Sequence, residues 1–233
     1  MKLDFLASNF LDIIFPPVCV ICGKISKDWI CKNCNEKIQK YRKNKYLTKI
    51  EDLKFASIGT YIYKKPYFDE QYYIFSYRKL IRKLIIKFKF ADSSYISHFF
   101  ANEILHDKKI NDIFLSYDIM CLVPMDKKSK NIRGYNQTEL ILRKLIKNKI
   151  AIDIQFDLLK KVRKTKTQSL LSGVDREENV RDAYSIRDTP KVYGKNIILF
   201  DDIYTTGATS NEISRLLKQS GAKKILIFTI AKD

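Results

Sequence analysis

The chain has 233 residues, with 44 Lys plus Arg against 26 Asp plus Glu, a formal net charge of +18. Hydrophobic residues make up 45% and charged residues 30%, a globular composition that excludes wholesale disorder. No run of about 18 apolar residues occurs, so no stable membrane insertion is expected.

At the N-terminus, Leu3, Leu6, Phe10, Ile13 and Ile14 fall on one helical face, and Pro16-Pro17 stops the pattern. Asn9 and Asp12 interrupt the apolar stretch, which has no small-residue cleavage site. It is therefore read as a docking helix, not a signal peptide, and the expected location is cytoplasmic. Cys19-x2-Cys22 and Cys31-x2-Cys34 follow. Each pair can form a tight knuckle aiming two thiolates at one ion, and two knuckles complete a closed tetrahedral site. A structural zinc ion is the expected occupant. Two disulfides, disfavoured in a reducing cytoplasm, or an iron–sulfur centre are the alternatives. The expected division is a zinc-binding module over residues 1–50 and a second domain over 51–233.

Residues 53–77 are rich in aromatics, among them Tyr61, Tyr63, Tyr67, Phe68, Tyr72, Tyr73, Phe75 and Tyr77. They predict strands or a hairpin turning near Pro66, and serve either as core or as a surface on which bases stack. Over residues 78–90, Leu80, Ile81, Leu84, Ile85 and Phe88 recur at helical spacing. Arg78, Lys79, Arg82, Lys83 and Lys87 occupy the complementary side, and the segment holds no acid. This cationic amphipathic helix could track phosphates of a nucleic acid, lie on an anionic membrane, or be a core helix with a solvated basic face. The +18 charge is equally open between a polyanionic partner and a lysine-biased composition. Cys121, in an apolar strand pattern, is expected to be a buried spectator.

Ile197 to Phe200 is a continuous apolar run, consistent with a buried parallel strand ended by Asp201 and Asp202. Thr205, Thr206, Gly207, Ala208 and Thr209 follow, then a helical pattern that stops near Gly221, then the apolar strand Ile225 to Ile230. This is a βαβ unit. Backbone N–H groups at the helix start, with threonine hydroxyls, make a cradle for a phosphate. The chain has only seven glycines where average usage would give roughly sixteen; Gly207 is one of the few kept, and lets the backbone approach closely. The two carboxylates can accept hydrogen bonds from vicinal sugar hydroxyls, or help hold Mg²⁺ through water. Acid pair and cradle together describe a ribose 5-phosphate site.

The segment Asp201 to Thr209 resembles the phosphoribosyl diphosphate (PRPP) binding motif of type I phosphoribosyltransferases. Two upstream stretches narrow the resemblance. Val123-Pro124 ends a strand and leads through a basic loop into Arg133-Gly134-Tyr135-Asn136-Gln137. Arg163, Thr165, Gln168, Leu171, Arg176, Asn179 and Val180 then run towards Ala183-Tyr184. With the four cysteines, these motifs are similar to the competence protein F (ComF) family over nearly the whole chain. The resemblance implies an α/β fold: a type I phosphoribosyltransferase-like parallel-sheet core with an N-terminal four-cysteine zinc module. It implies that Asp201 and Asp202 contact ribose hydroxyls and that Thr205 to Thr209 hold the 5-phosphate. Lys127, Lys128 and Arg133 would face pyrophosphate, with Mg²⁺ accompanying PRPP. Residues 163–168 match the place of a loop that closes over the site, and Ser172 with Asp175 resembles a helix start. The sequence departs from the family's pattern at Asp126, often His, and at Ser129, often Arg; a carboxylate facing pyrophosphate would repel it.

Natural transformation is the process with which the family is associated. The first expectation is a protein that handles incoming single-stranded DNA, with Arg78, Lys79, Arg82, Lys83 and Lys87 touching the strand and PRPP as a ligand. Other DNA-uptake or recombination proteins are expected partners. The alternatives are an active phosphoribosyltransferase with an unnamed acceptor and a PRPP-sensing regulator. Binding PRPP and transferring its sugar are separate claims, and no residue pattern identifies an acceptor or a general acid.

Overall fold

A computed structural model describes residues 16, 18–43, 47–49, 66–90, 93–165 and 178–233. The expected N-terminal helix, Tyr61 and Tyr63, and Gln168, Leu171, Ser172, Asp175 and Arg176 lie outside the described residues.

Helix α1 (Lys32–Gln39) belongs to the cysteine module and leads to strand β1 (Thr48–Lys49). Next come β2 (Glu70–Ser76) and three helices, α2 (Lys79–Phe90), α3 (Ile96–Leu105) and α4 (Lys108–Leu115). Strand β3 (Ile119–Leu122) is followed by α5 (Lys127–Arg133), α6 (Gln137–Lys147) and β4 (Asp153–Gln155). A hairpin of β5 (Leu159–Lys161) and β6 (Tyr184–Ile186) precedes β7 (Asn196–Tyr204), α7 (Ala208–Gln219) and β8 (Lys224–Lys232).

The six-stranded sheet runs β1-β2-β8-β7-β3-β4, parallel throughout except for β1 at the edge. Its central strand, β7, has Ile197, Ile198, Leu199 and Phe200 fully buried, as expected of a strand covered on both faces. Successive side chains serve opposite faces. Ile198 and Phe200 pack with α2, α3, α4 and α6, and Ile197 and Leu199 pack with α7 and the β5–β6 hairpin. From β3 the chain winds outward to β4; from β7 it winds the other way to β8. The order therefore reverses between β3 and β7, and a crevice at the C-terminal ends of these strands is where open α/β sheets bind ligands.

The expected end of β7 at Asp201 is corrected: the strand continues to Tyr204, because Asp201, Ile203 and Tyr204 stay in register with Thr229, Ala231 and Lys232 of β8. The aromatics expected as strand or stacking surface divide clearly. Phe68, Tyr72 and Phe75 are buried, and Tyr72 lies parallel to Phe228 with ring centroids 5.3 Å apart. Tyr67 is exposed. Cys121 is fully buried, and burial pushes its thiol up to about 12, so it is an inert core residue.

Helix α2 buries Ile81, Leu84, Ile85 and Phe88, each a gain of roughly 1.5–3 kcal/mol over exposure. The cysteine module packs on this helix: Cys19, Val20, Ile30, Cys34 and Ile38 join the same core as Phe75 and Phe88. Arg42, just beyond α1, forms ion pairs with Glu103 and Asp107, while Gln39 donates to Glu103 at 2.9 Å. Residues 18–43 are thus fastened to the body by apolar and polar contacts alike.

Candidate functional site

The acid pair sits near the end of β7, and both residues line one crevice. On the α2 side, Asp202 forms an ion pair with Lys89 at 2.7 Å. Asp201 accepts a hydrogen bond from the Asp202 backbone N–H at 2.8 Å. Burial, aided by the Asp202 charge, pushes the Asp201 carboxyl from 3.8 up to about 7, against the opposing pull of Lys89. Two adjacent carboxyls thus become chemically unlike.

Gly207 begins α7 in the left-handed conformation, φ 78°. A Cβ there would be strained by this angle and would collide with the Tyr204 hydroxyl. No side chain caps α7, whose first turn contains no acid; the Thr206 hydroxyl stands 3.5 Å from the Ala208 N–H. Thr205 and Thr206 are exposed, and Ala208 is buried. Thr209 is hydrogen-bonded to the Tyr184 hydroxyl, whose pKa burial raises to about 12. The turn thus offers a helix N-terminus and exposed hydroxyls to an anion.

Across the crevice, the segment expected as a basic loop after Pro124 is helical from Lys127 to Arg133. Asp126 starts it, accepting from the Ser129 N–H at 2.8 Å and the Ser129 hydroxyl at 2.7 Å. The two departures from the family pattern are therefore one helix cap, an arrangement favoured for Asp at this position. Burial works against the charged form of Asp126, but the Ser129 hydrogen bonds and nearby Lys161 hold its carboxyl below the ordinary value. Lys127 and Lys128 form the first turn of α5; their side chains lie outside those described. Arg133 donates to Gln137 at 3.1 Å and lies over the exposed Phe90 ring at 5.1 Å.

The crevice between these walls has a volume of about 170 Å³ and is lined by Lys89, Asp126, Arg133, Lys161, Asp201 and Asp202, among others. Lys89 and Lys161 were missed by the sequence reasoning. Lys161 closes one side from β5, 4.0 Å from Asp126 and donating to Thr165 at 2.7 Å; burial lowers its pKa. Helical spacing gives no signal for Lys89: at 100° per residue it falls between Arg78 and Arg82, on the basic face beside the edge of the buried stripe at Ile85. Arg163, expected in the closing loop, donates to the carbonyls of Asn179 and Arg181 at 3.0 and 2.6 Å and ties the base of the hairpin together.

The Arg133-to-Gln137 segment is largely a clamp. Tyr135 and Gln137 donate to the Phe88 carbonyl at 2.7 and 3.3 Å, and Asn136 caps α6. The clamp fixes the last turn of α2, and so the placement of Lys89.

Of the five residues expected to touch DNA, Arg78, Lys79, Arg82 and Lys83 are exposed, and among the described residues Arg78, Lys79 and Arg82 make no hydrogen bond to the cysteine module. Lys83 and Lys87 instead reach into the cysteine module, donating to the carbonyls of Ile21 and Val20 at 3.3 and 2.7 Å.

The four sulfurs of Cys19, Cys22, Cys31 and Cys34 lie within 4.8 Å of one another. The Cys22 and Cys31 sulfurs are 3.9 Å apart, close to the roughly 3.8 Å edge of a tetrahedron with Zn–S bonds of about 2.3 Å. Burial opposes a Cys19 thiolate, but backbone N–H groups, including that of Cys31 at 3.4 Å, bring its pKa down to about 6. Burial and the neighbouring thiols push Cys34 up to about 12. So crowded a set ionises fully only around a cation, and the donors fit a closed structural zinc site.

An open parallel sheet, with an acid pair and a helix-start cradle at its switch point, defines a phosphoribosyltransferase-type domain, here joined to a zinc ribbon. The phosphoribosyl transferase domain family matches residues 120–233, and the double zinc ribbon domain family matches residues 10–45. Competence protein F of Haemophilus influenzae is 27% identical over 221 residues, spanning 92% of this chain and 96% of that protein. Competence protein ComFC of Bacillus subtilis is 24% identical over 237 residues, spanning 100% of this chain and 85% of that protein. DNA utilization protein YhgH of Escherichia coli is 28% identical over 180 residues, 75% of this chain and 77% of that protein. The chain is thus similar to competence proteins over nearly its whole length and has a phosphoribosyltransferase-like fold. Among the described residues, no helix is long and apolar enough to cross a membrane.

Proposed function

We propose that this chain handles incoming single-stranded DNA during natural transformation and binds PRPP, with Mg²⁺, in the crevice between β3 and β7. The single observation that carries the PRPP reading is the juxtaposition of Asp201 and Asp202 with the uncapped start of α7 at the switch point of the sheet. In this reading the carboxylates take the ribose hydroxyls, and the turn from Thr205 to Thr209 takes the 5-phosphate. Arg133, with Lys127 and Lys128, faces pyrophosphate. Mg²⁺ would offset pyrophosphate charge in a crevice whose described lining balances Lys89, Arg133 and Lys161 against Asp126, Asp201 and Asp202.

The DNA reading is supported by the names of the relatives, competence and DNA utilization proteins, and by the +18 charge. Arg78, Lys79 and Arg82 would bind phosphates. With Lys24, Lys27 and Lys32 exposed on the adjoining cysteine module, they would form one basic surface. A cytoplasmic location follows from this role.

Fluorescence anisotropy of labelled single-stranded and duplex DNA at near-physiological salt tests the reading. Tight, single-strand-preferring binding is expected. Weak binding that vanishes with modest salt would make the charge compositional, and the crevice would then be assayed for sugar transfer through acceptor-dependent pyrophosphate release.

A further inference from the structure

We propose that Lys89 is the resident counter-cation of the Asp201–Asp202 pair, so that a ribose 5-phosphate group is held there without a divalent ion at the carboxylates. The proposal rests on the PRPP-type reading of the crevice and adds to it a residue and an ion requirement.

Lys89 is held from both sides. Before it, Phe88 is buried with its ring 5.9 Å from that of Phe100 and 6.0 Å from that of Tyr135, and its carbonyl accepts from Tyr135 and Gln137. After it, Phe90 lies beneath the Arg133 guanidinium. The ammonium is thus delivered from the C-terminal turn of α2, where the exposed carbonyl end of a helix favours a cation. Its side chain is 19% exposed and that of Asp202 16%, so water screens the pair only partly.

The bonding leaves room for a sugar. Lys89 takes Asp202 Oδ2, and the Asp202 backbone N–H takes Asp201 Oδ1. Among the described residues, Asp202 Oδ1 and Asp201 Oδ2 have no other partner and can accept from two vicinal hydroxyls. A cis-diol donates two hydrogen bonds and brings no charge. Without a cation, two adjacent carboxylates repel one another. Lys89 supplies that cation permanently and leaves any Mg²⁺ to the pyrophosphate.

Isothermal titration of the zinc-loaded full chain with ribose 5-phosphate, in buffer with and without added Mg²⁺, tests this. The unaltered protein is expected to bind without Mg²⁺ and to change affinity less than about twofold when it is added. Lys89→Met should weaken binding about tenfold, a typical worth of one charge-assisted hydrogen bond, and Lys89→Arg should keep it within about threefold. A requirement for Mg²⁺ in the unaltered protein overturns the proposal, and needs no variant to fold. So does unchanged binding by Lys89→Met, or equal loss in Lys89→Arg. Failure of the unaltered protein to bind ribose 5-phosphate under either condition overturns the proposal, and the PRPP-type reading falls with it if Mg-PRPP also fails to bind.

Discussion

Lys87 and Lys89 stand two residues apart on one helix, yet Lys87 donates to the Val20 carbonyl of the cysteine module and Lys89 pairs with Asp202 in the crevice. Helix α2 is therefore a physical link between the cysteine module and the crevice, and only part of its charge faces solvent. Charge reversals along it should have separable effects.

Arg82→Glu is expected to leave the melting temperature unchanged, since surface substitutions usually fall within about 0.5 kcal/mol. It should weaken single-stranded DNA binding and lower the salt slope by about 0.7 for each phosphate no longer neutralised. Lys87→Glu should instead destabilise the protein by about 1–3 kcal/mol, because it removes a donor from a partly buried carbonyl and sets an acid there. Melting curves and salt titrations of the two variants distinguish these outcomes.

Replacing Cys31 and Cys34 by Ser should abolish metal binding. The chain's single tryptophan, Trp29, reports the event, since it stacks on Tyr95 at 4.2 Å across the junction with the body. Trp29 fluorescence should change as the stack comes apart, and zinc analysis should fall to background. Intact fluorescence with no zinc in the parent protein would remove the zinc-site reading.

Gly207→Ala places a side chain at φ 78° and against Tyr204. Strain of this kind costs of order 1–3 kcal/mol. Melting temperature and ribose 5-phosphate affinity should fall together, because the start of α7 must shift.

Asp201 gives a pH signature. Its carboxyl stands near 7 in the folded chain against an ordinary 3.8, so the folded state holds the proton more tightly. Stability contributed by this group is greatest below about pH 4, declines as pH rises towards 7, and is level above that. Asp201→Asn should match the parent near pH 4. At pH 8 it should exceed the parent by about 1 kcal/mol or more, or roughly 2–4 °C in Tm. Its affinity for ribose 5-phosphate should fall, whereas that of the parent should rise from pH 6 to pH 8 as the carboxylate forms. Thermal melts and calorimetry across this range check both arms.

Much of this arrangement was legible in local pattern. The Cys-x2-Cys pairs specify their own cluster, and the apolar run Ile197 to Phe200 followed by the Thr-Thr-Gly turn specifies a buried strand and a helix start. The buried face of α2 was carried by helical spacing alone. What escaped depends on neighbours distant in sequence. The extension of β7 through Asp201 to Tyr204 is written in its partner β8, where Thr229 and Ala231 continue the ladder. Asp126 reads as a charge misplaced before pyrophosphate until Ser129 folds back on it as a helix cap. Lys89 is one lysine among several, and only the clamp by Tyr135 and Gln137 singles it out.

The most direct test of the crevice is calorimetric titration of the zinc-loaded chain with Mg-PRPP, beside a variant carrying Asp201→Asn and Asp202→Asn. Saturable binding at one site per chain, weakened at least about tenfold in the variant, is the predicted result. No binding by the unaltered chain, or equal affinity in the two, would contradict the assignment of this crevice to PRPP.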